Sequence, residues 1–152
     1  MSLKQGIFRW YTELVTPGAA EVPFVRPGRS LQQTTVALVT TAGVRLTGQE
    51  PFDCEHGDPT FRPIPADADL SALVPDHTHY DTAAPQADIS CVFPLQVLRE
   101  LAAAGEIGGV APVHFGFMGY IPDLKPLLER SIPELVQRLQ AAGAGAVLLS
   151  PG

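Results

Sequence analysis

Thr35-Val36-Ala37-Leu38-Val39-Thr40-Thr41, closed by Ala42-Gly43, is the stretch on which the fold turns. It is a short β-branched and aliphatic run without polar alternation, the pattern of a strand buried on both faces. Downstream, Pro94 opens a run of helix formers, Leu95 through Glu106, with Leu95, Val97, Leu98 and Leu101 on one face and Gly105 near its end. A second strand begins about Val110 and continues through Val113-His114-Phe115-Gly116-Phe117-Met118. Asp123 is a candidate helix cap for the segment that carries Leu127, Leu128, Leu135, Val136 and Leu139 and closes at Gly143. Pro133 either divides that segment or stands in the first turn of its second half. Ala144 through Ser150 reads as another buried strand, followed by Pro151-Gly152. Upstream, Ile7, Phe8, Trp10, Tyr11, Leu14 and Val15 recur at helical spacing before Pro17-Gly18, so 1–30 reads as an N-terminal helix and linker.

Strands alternating with helices predict an α/β fold. The expected form is a three-layer, mostly parallel sheet flanked by helices, Rossmann-like or flavodoxin-like, with ligands beyond the carboxyl ends of its strands. Those ends are Thr41-Ala42-Gly43, His114 onward, and Ser150-Pro151-Gly152. Between them, 44–66 reads as one long loop of the kind that carries function, and 70–80 as an edge strand limited by Pro75. A core strand ending in Pro-Gly has no following helix to cover it, which predicts a sheet incomplete at its C-terminal side. The uncovered apolar face and unpaired edge predict a homodimer or higher form.

Residues 1–152 have the size of a single domain. At 45% hydrophobic the chain is not disordered throughout. Ten Lys and Arg against 16 Asp and Glu leave a net charge of −6, opposed to phosphate-backbone binding, so nucleic acid is not an expected partner. No run approaches the roughly 20 apolar residues of a membrane helix, and the N-terminus interleaves charges with aromatics. A cytoplasmic protein with no membrane partner is expected. Cys54 and Cys91 lack CxxC spacing and read as incidental thiols. The 14 Gly and 15 Pro concentrate at 17–28, 48–65 and 108–122, where ligand-facing loops would lie.

The polar clusters carry the candidate chemistry. His77, His79 and Asp81 are spaced i, i+2, i+4, so in an extended chain they leave one face, as the ligands of a divalent metal such as Zn²⁺ would. Local hydrogen bonding at a strand end, or substrate binding without metal, are the competing readings of the same three residues. His56, Asp58 and Arg62 lie in the Pro/Gly-rich loop; the planar fork of Arg62 suits a substrate carboxylate, and an Arg62–Asp58 ion pair is the plainer alternative. Thr41 and Gly43, at the end of the first strand, complete the candidate binding set. His114 is a candidate acid or base, against a core-edge histidine with one backbone partner. There is no GxGxxG and no Walker lysine, which leaves nucleotide binding a weak reading, and no Gly-x-Ser-x-Gly elbow, which sets aside serine hydrolysis.

Six segments follow one another in order: Val36-Ala37-Leu38-Val39-Thr40-Thr41-Ala42-Gly43-Val44; Pro51-Phe52-Asp53 with His56-Gly57-Asp58 and Phe61-Arg62; His77-Thr78-His79-Tyr80-Asp81; Val92-Phe93-Pro94-Leu95; Phe117-Met118-Gly119-Tyr120; and Ala146-Val147-Leu148-Leu149-Ser150-Pro151-Gly152. Together they resemble the selenoprotein B family of glycine, sarcosine, betaine and D-proline reductases, most nearly its D-proline reductase small-subunit branch. The resemblance implies a dithiol-dependent amino-acid reductase whose redox residue, a selenocysteine or in relatives a cysteine, follows directly after the strand matched by Ala146 through Gly152. On that reading no catalytic residue lies within the chain, apart from His114 as a possible acid or base. It also implies an amino-acid-like substrate held by a pyruvoyl group in a partner subunit, with no pyruvoyl precursor here. A UGA selenocysteine codon read as stop would end a chain at this point, so truncation at the redox codon is expected. The alternative is a non-enzymatic metal- or small-molecule-binding module built on His77, His79 and Asp81.

Overall fold

A computed structural model describes residues 27–78 and 80–152. The expected helix at 7–15 and His79 lie outside those residues.

The chain runs through β1 (Thr35–Thr40), β2 (Val44–Leu46), β3 (Phe61–Pro65), β4 (Leu73–Pro75), α1 (Ala83–Ala87), α2 (Leu95–Ala103), β5 (Gly109–Val110) and β6 (Val113–Phe117). It continues through α3 (Leu124–Pro126), a π-helical stretch (Leu127–Ser131), α4 (Ile132–Ala141) and β7 (Ala146–Ser150). Pro133 stands in the first turn of α4, where its missing N–H has no helical partner to lose.

β1 is the centre of the main sheet. It pairs in parallel with β7 on one side, Val36 opposite Ala146 through Thr40 opposite Ser150. It also pairs in parallel with β5 near its start and with β6 near its end. The single strand expected from about Val110 is therefore interrupted at Ala111-Pro112, and Pro112 has no N–H for a ladder.

The long loop expected at 44–66 is a correction: it contains two strands. β2 forms a small antiparallel sheet with β4, while β3 adds antiparallel to β6 at the far edge, Phe61 opposite Phe117. The main sheet is thus mixed and mostly parallel, within an α/β fold. The edge strand expected over 70–80 is reduced to the three residues of β4 and belongs to the small sheet.

Both faces of β1 are covered, which explains its unbroken apolar run. Val36 and Leu38 pack with Leu95 and Leu98 of α2 on one face. Val39 packs with Phe115, Phe117 and Leu135 of α4 on the other. The connection from β1 to β6 crosses one face and the connection from β6 to β7 crosses the other, so the winding direction reverses at β1. The crevice beside such a reversal, beyond the carboxyl ends of the strands, is where open α/β sheets place ligands.

Candidate functional site

Three loops converge on the carboxyl end of β1. Gly43, with φ +71°, donates its N–H to the Phe117 carbonyl at 2.8 Å and accepts from the Asp76 N–H at 2.8 Å. A Cβ at Gly43 would stand 2.0 Å from the Asp76 carbonyl oxygen, so only glycine lets the β1 and β4 loops approach this closely. Asp76 is fixed from its other side by a two-pronged ion pair with Arg45 and by the Phe52 N–H at 3.2 Å. Arg45 and Asp76 are both largely buried, and the remaining Arg45 donors reach the carbonyls of Leu46, Thr47 and Gln49.

This anchored turn presents His77. Its ring lies 4.6 Å from the Tyr80 ring, and the Tyr80 hydroxyl donates to the Ala42 carbonyl at 2.9 Å. Burial pushes the Tyr80 phenol above its ordinary pKa, so it stays a hydrogen-bond donor. Against the other side of His77 lies Gly119: a Cβ there would come within 3.3 Å of His77 Nε2 and 2.8 Å of the Thr41 carbonyl oxygen. Thr41 closes the crevice toward β7, its N–H bonded to the Ser150 carbonyl at 3.0 Å and its hydroxyl 3.4 Å from the Gly152 N–H. Gly152 rests on Ala42, where a Cβ would meet the Ala42 side chain at 2.6 Å. Thr41, Gly43 and His77 are thus brought together at one edge.

The loop from Pro51 to Thr60 forms a rim. Gly57 packs on Tyr120 and Pro122, and the Thr78 hydroxyl donates to the Cys54 carbonyl at 3.3 Å. His56 is exposed on this rim, its Nδ1 3.1 Å from the Asp53 carboxylate. Hydrogen bonds, chiefly from the His56 N–H, hold the Asp53 carboxyl below its ordinary pKa. The Cys54 thiol is pushed up by burial, which keeps it protonated and a poor nucleophile.

Arg62 takes the ion-pair alternative. Its Nη2 lies 3.0 Å from Asp58 Oδ2, with both side chains only 12% exposed. Its Nε donates to the Glu50 carbonyl at 2.8 Å, Nη1 to the Thr60 hydroxyl at 2.7 Å, and the guanidinium covers the Phe52 ring at 4.3 Å. Every guanidinium nitrogen is bonded within the protein, so in this arrangement Arg62 and Asp58 brace the rim.

His114 requires a correction of place. It is the second residue of β6, three residues before the strand's carboxyl end, and fully buried. Its Nδ1 accepts from the Leu38 N–H at 3.0 Å, standing in for a ladder acceptor where Pro112 interrupts the neighbouring strand. Burial, with a smaller push from Arg99, lowers its pKa to about 4, so the ring is neutral at pH 7. Among the described residues its Nε2 has no hydrogen-bond partner.

No group of three or more His, Cys, Asp or Glu side chains among the described residues is placed to hold a metal, with His79 outside them. Asp81 caps the start of α1 by accepting from the Ala83 N–H at 2.9 Å. Among the described residues no helix is long and apolar enough to cross a membrane. Tyr80, Gly119 and the Arg45–Asp76 brace were not among the candidate site residues read from the sequence, although Tyr80 and Gly119 stand within the segments that carry the family resemblance. The signal for Tyr80 was its position three residues after His77, one turn away in any bent segment; Arg45 and Asp76, 31 residues apart, carried none.

A family profile described as glycine/sarcosine/betaine reductase selenoprotein B matches residues 3–151. D-proline reductase subunit gamma of Acetoanaerobium sticklandii is 38% identical over 138 residues, covering 91% of this chain and 55% of that protein. The betaine reductase complex component B subunit beta of Peptoclostridium acidaminophilum is 26% identical over 144 residues, 91% of this chain and 32% of that protein. The glycine reductase complex component B subunit gamma of Carboxydothermus hydrogenoformans is 28% identical over 144 residues, again 91% of this chain and 33% of that protein. The chain therefore spans about half the length of the first relative and about a third of the others. No solved structure matches it.

Proposed function

The chain belongs to the glycine/sarcosine/betaine reductase selenoprotein B family, and we propose that it forms the substrate-facing wall of a reductase subunit that cleaves a carbon–nitrogen bond in a small amino acid. The observation that carries this reading is the position of Gly152. Its backbone lies on Ala42 and within reach of Thr41, so a redox residue joined to it stands in the crevice at the winding reversal, beside Thr41, Gly43 and His77. A selenolate or thiolate there is ionised near neutral pH and nucleophilic toward the carbon next to nitrogen. In the net reaction the C–N bond is replaced by C–H and N–H, and a dithiol supplies the two electrons and two protons as it becomes a disulfide.

In this reading His77 and the Thr41 hydroxyl orient the substrate, while the rim that carries His56, braced by Arg62 and Asp58, closes over it. A pyruvoyl group in a partner subunit would hold the substrate where its nitrogen is a primary or secondary amine, which the quaternary nitrogen of betaine is not. The substrate is one of D-proline, glycine, sarcosine or betaine, which share a carboxylate and an α-nitrogen.

The test begins with the genomic DNA beyond codon 152. The expected result is an in-frame UGA or cysteine codon immediately after Gly152, opening into a longer frame. The protein made from that frame, combined with its pyruvoyl partner and a dithiol, should then reduce one of the four amino acids. A frame without selenocysteine or cysteine within a few residues of Gly152 overturns the proposal.

A further inference from the structure

We propose that Tyr80 is a positioning residue that ties the His77 ring to the backbone just beyond the carboxyl end of β1, so that the two move as one unit. What it positions rests on the reaction proposed for the crevice, with a redox residue joined to Gly152 standing beside Thr41 and His77. The tie itself consists of three contacts that meet on one side chain. The Tyr80 ring lies 4.6 Å from the His77 ring, the two planes inclined at 52°. Its hydroxyl donates to the Ala42 carbonyl at 2.9 Å, across 38 positions of sequence. Its body packs against the apolar cluster that includes Val44 and Leu95.

Ala42 is where the walls of the crevice are joined. It is fully buried, its N–H donates to the Thr40 hydroxyl at 3.1 Å, and it bridges antiparallel to Met118, the residue before Gly119. Gly152 lies on it so closely that a Cβ at Gly152 would stand 2.4 Å from the Ala42 Cα. A shift of Ala42 therefore carries with it the backbone to which the redox residue is joined. A shift of His77 is limited by Gly119 at its Nε2 and by the Tyr80 ring. Tyr80 connects these two sets of constraints through a single rigid aromatic body.

The hydroxyl is directed at a backbone carbonyl of the core, so its proton is spent on Ala42 and is not offered to a substrate. Tyr80 thus acts through His77 and Ala42. It also complements the Arg45–Asp76 pair: that pair fixes the chain immediately before His77, and Tyr80 fixes it after, so the turn is pinned on both sides of the residue it presents. Reacting groups held on separate loops need such bracing, because productive geometry tolerates displacements of only about 0.5 Å.

Two variants separate the hydroxyl from the ring: Tyr80→Phe loses only the donor, and Tyr80→Leu loses both. Circular dichroism and urea midpoints establish that they are folded, and Tyr80→Phe, which differs by one oxygen, decides the matter where Tyr80→Leu does not fold. The first readout is nuclear magnetic resonance of the isotopically labelled chain and needs no activity. Tyr80→Phe should speed hydrogen exchange at the Ala42 and Gly43 amides about fivefold relative to the β3 amides. Tyr80→Leu should in addition move the His77 ring resonances. Exchange at Ala42 and Gly43 that is unchanged in Tyr80→Phe, or that rises only in step with β3, overturns the proposal, as do unmoved His77 resonances in a folded Tyr80→Leu.

The second readout separates positioning from stability. In the subunit extended beyond Gly152 and assembled with its partner, Tyr80→Phe should lower kcat on the order of tenfold while KM stays within about twofold. A kcat equal to that of the unaltered subunit overturns the proposal. An unaltered subunit inactive toward all four amino acids refutes the reaction instead, and the exchange and resonance readouts still decide whether Tyr80 ties His77 to Ala42.

Discussion

His114 is buried with one accepting nitrogen on the Leu38 N–H and a pKa of about 4, which makes it the most pH-sensitive structural contact in the sheet. In the unfolded chain the same ring titrates near its ordinary 6.5. As pH falls, the unfolded state binds the proton first. His114's contribution to stability is therefore complete above about 6.5 and is lost progressively toward 4. Between pH 7.5 and 5 the loss is about 2 kcal/mol, and about 3 kcal/mol once the folded form also protonates. Urea midpoints at pH 7.5, 6 and 5 measure it. His114→Gln keeps an acceptor for Leu38 but does not titrate, and should remove most of that slope; an equally steep slope in the variant would assign the loss to other groups. His114→Ala leaves the Leu38 N–H unsatisfied and a cavity behind it, costing on the order of 2–4 kcal/mol. The residue type was visible in the sequence, and a core-edge histidine with one backbone partner was among its readings. Its place was not: the break at Pro112 that leaves Leu38 without a ladder acceptor becomes visible only once β5 and β6 are laid against β1.

At the scale of elements, the turn that carries His77 depends on contacts that no local pattern announces. Gly43 sits in the left-handed region and within van der Waals contact of the Asp76 backbone, so Gly43→Ala combines a strained φ with a clash that neither strand can relieve. The expected cost is about 2–4 kcal/mol in chemical denaturation. Asp76→Ala strips the partly buried Arg45 guanidinium and the Phe52 N–H of their shared acceptor; given the residual exposure of the pair, the loss should be about 2 kcal/mol. Both variants should shift the ring resonances of His77 and Tyr80. Unchanged resonances in Asp76→Ala would mean that the brace does not position the site. β1 was legible because a doubly covered strand must be apolar throughout, β6 because of its β-forming aromatics, and α2 and α4 because a helix packed on a sheet repeats its apolar residues every three to four positions. β7 was legible as a strand, but the expectation that it is buried is corrected: Val147, Leu148 and Leu149 are exposed. β2 and β3 were not legible. Three residues are too few to show a period, and Phe61-Arg62-Pro63-Ile64-Pro65 carries two prolines, which read as loop until an edge position makes them permissible.

Across the whole molecule, what locates the site is the reversal of winding at β1, since it determines which loops stand free at the carboxyl edge. Thr41-Ala42-Gly43 and Ser150-Pro151-Gly152 were legible as that edge from strand order alone, and the structure adds His77, Tyr80 and Gly119 to it through loops far apart in sequence. Arg62, on β3, and His56, on the loop before it, are held by partners of their own, Asp58 and Asp53. That difference yields a positional prediction. Titration of the isotopically labelled chain with D-proline, glycine, sarcosine and betaine should move amide resonances at Thr41, Gly43, His77, Gly119 and Gly152, with smaller shifts at His56. The Arg62 side-chain Nε–H should stay in place, because its bond to the Glu50 carbonyl need not open for a ligand seated between β1 and β7. Gly119→Ala, which pushes on both His77 and the Thr41 carbonyl, should weaken the response at least fivefold while leaving Arg62 and the β3 amides unmoved. Shifts that instead centre on Asp58, Thr60 and Arg62 would transfer substrate recognition to the rim, with the carboxylate displacing Asp58 from the guanidinium, and would make the crevice a passage to the redox residue instead of the seat of the substrate.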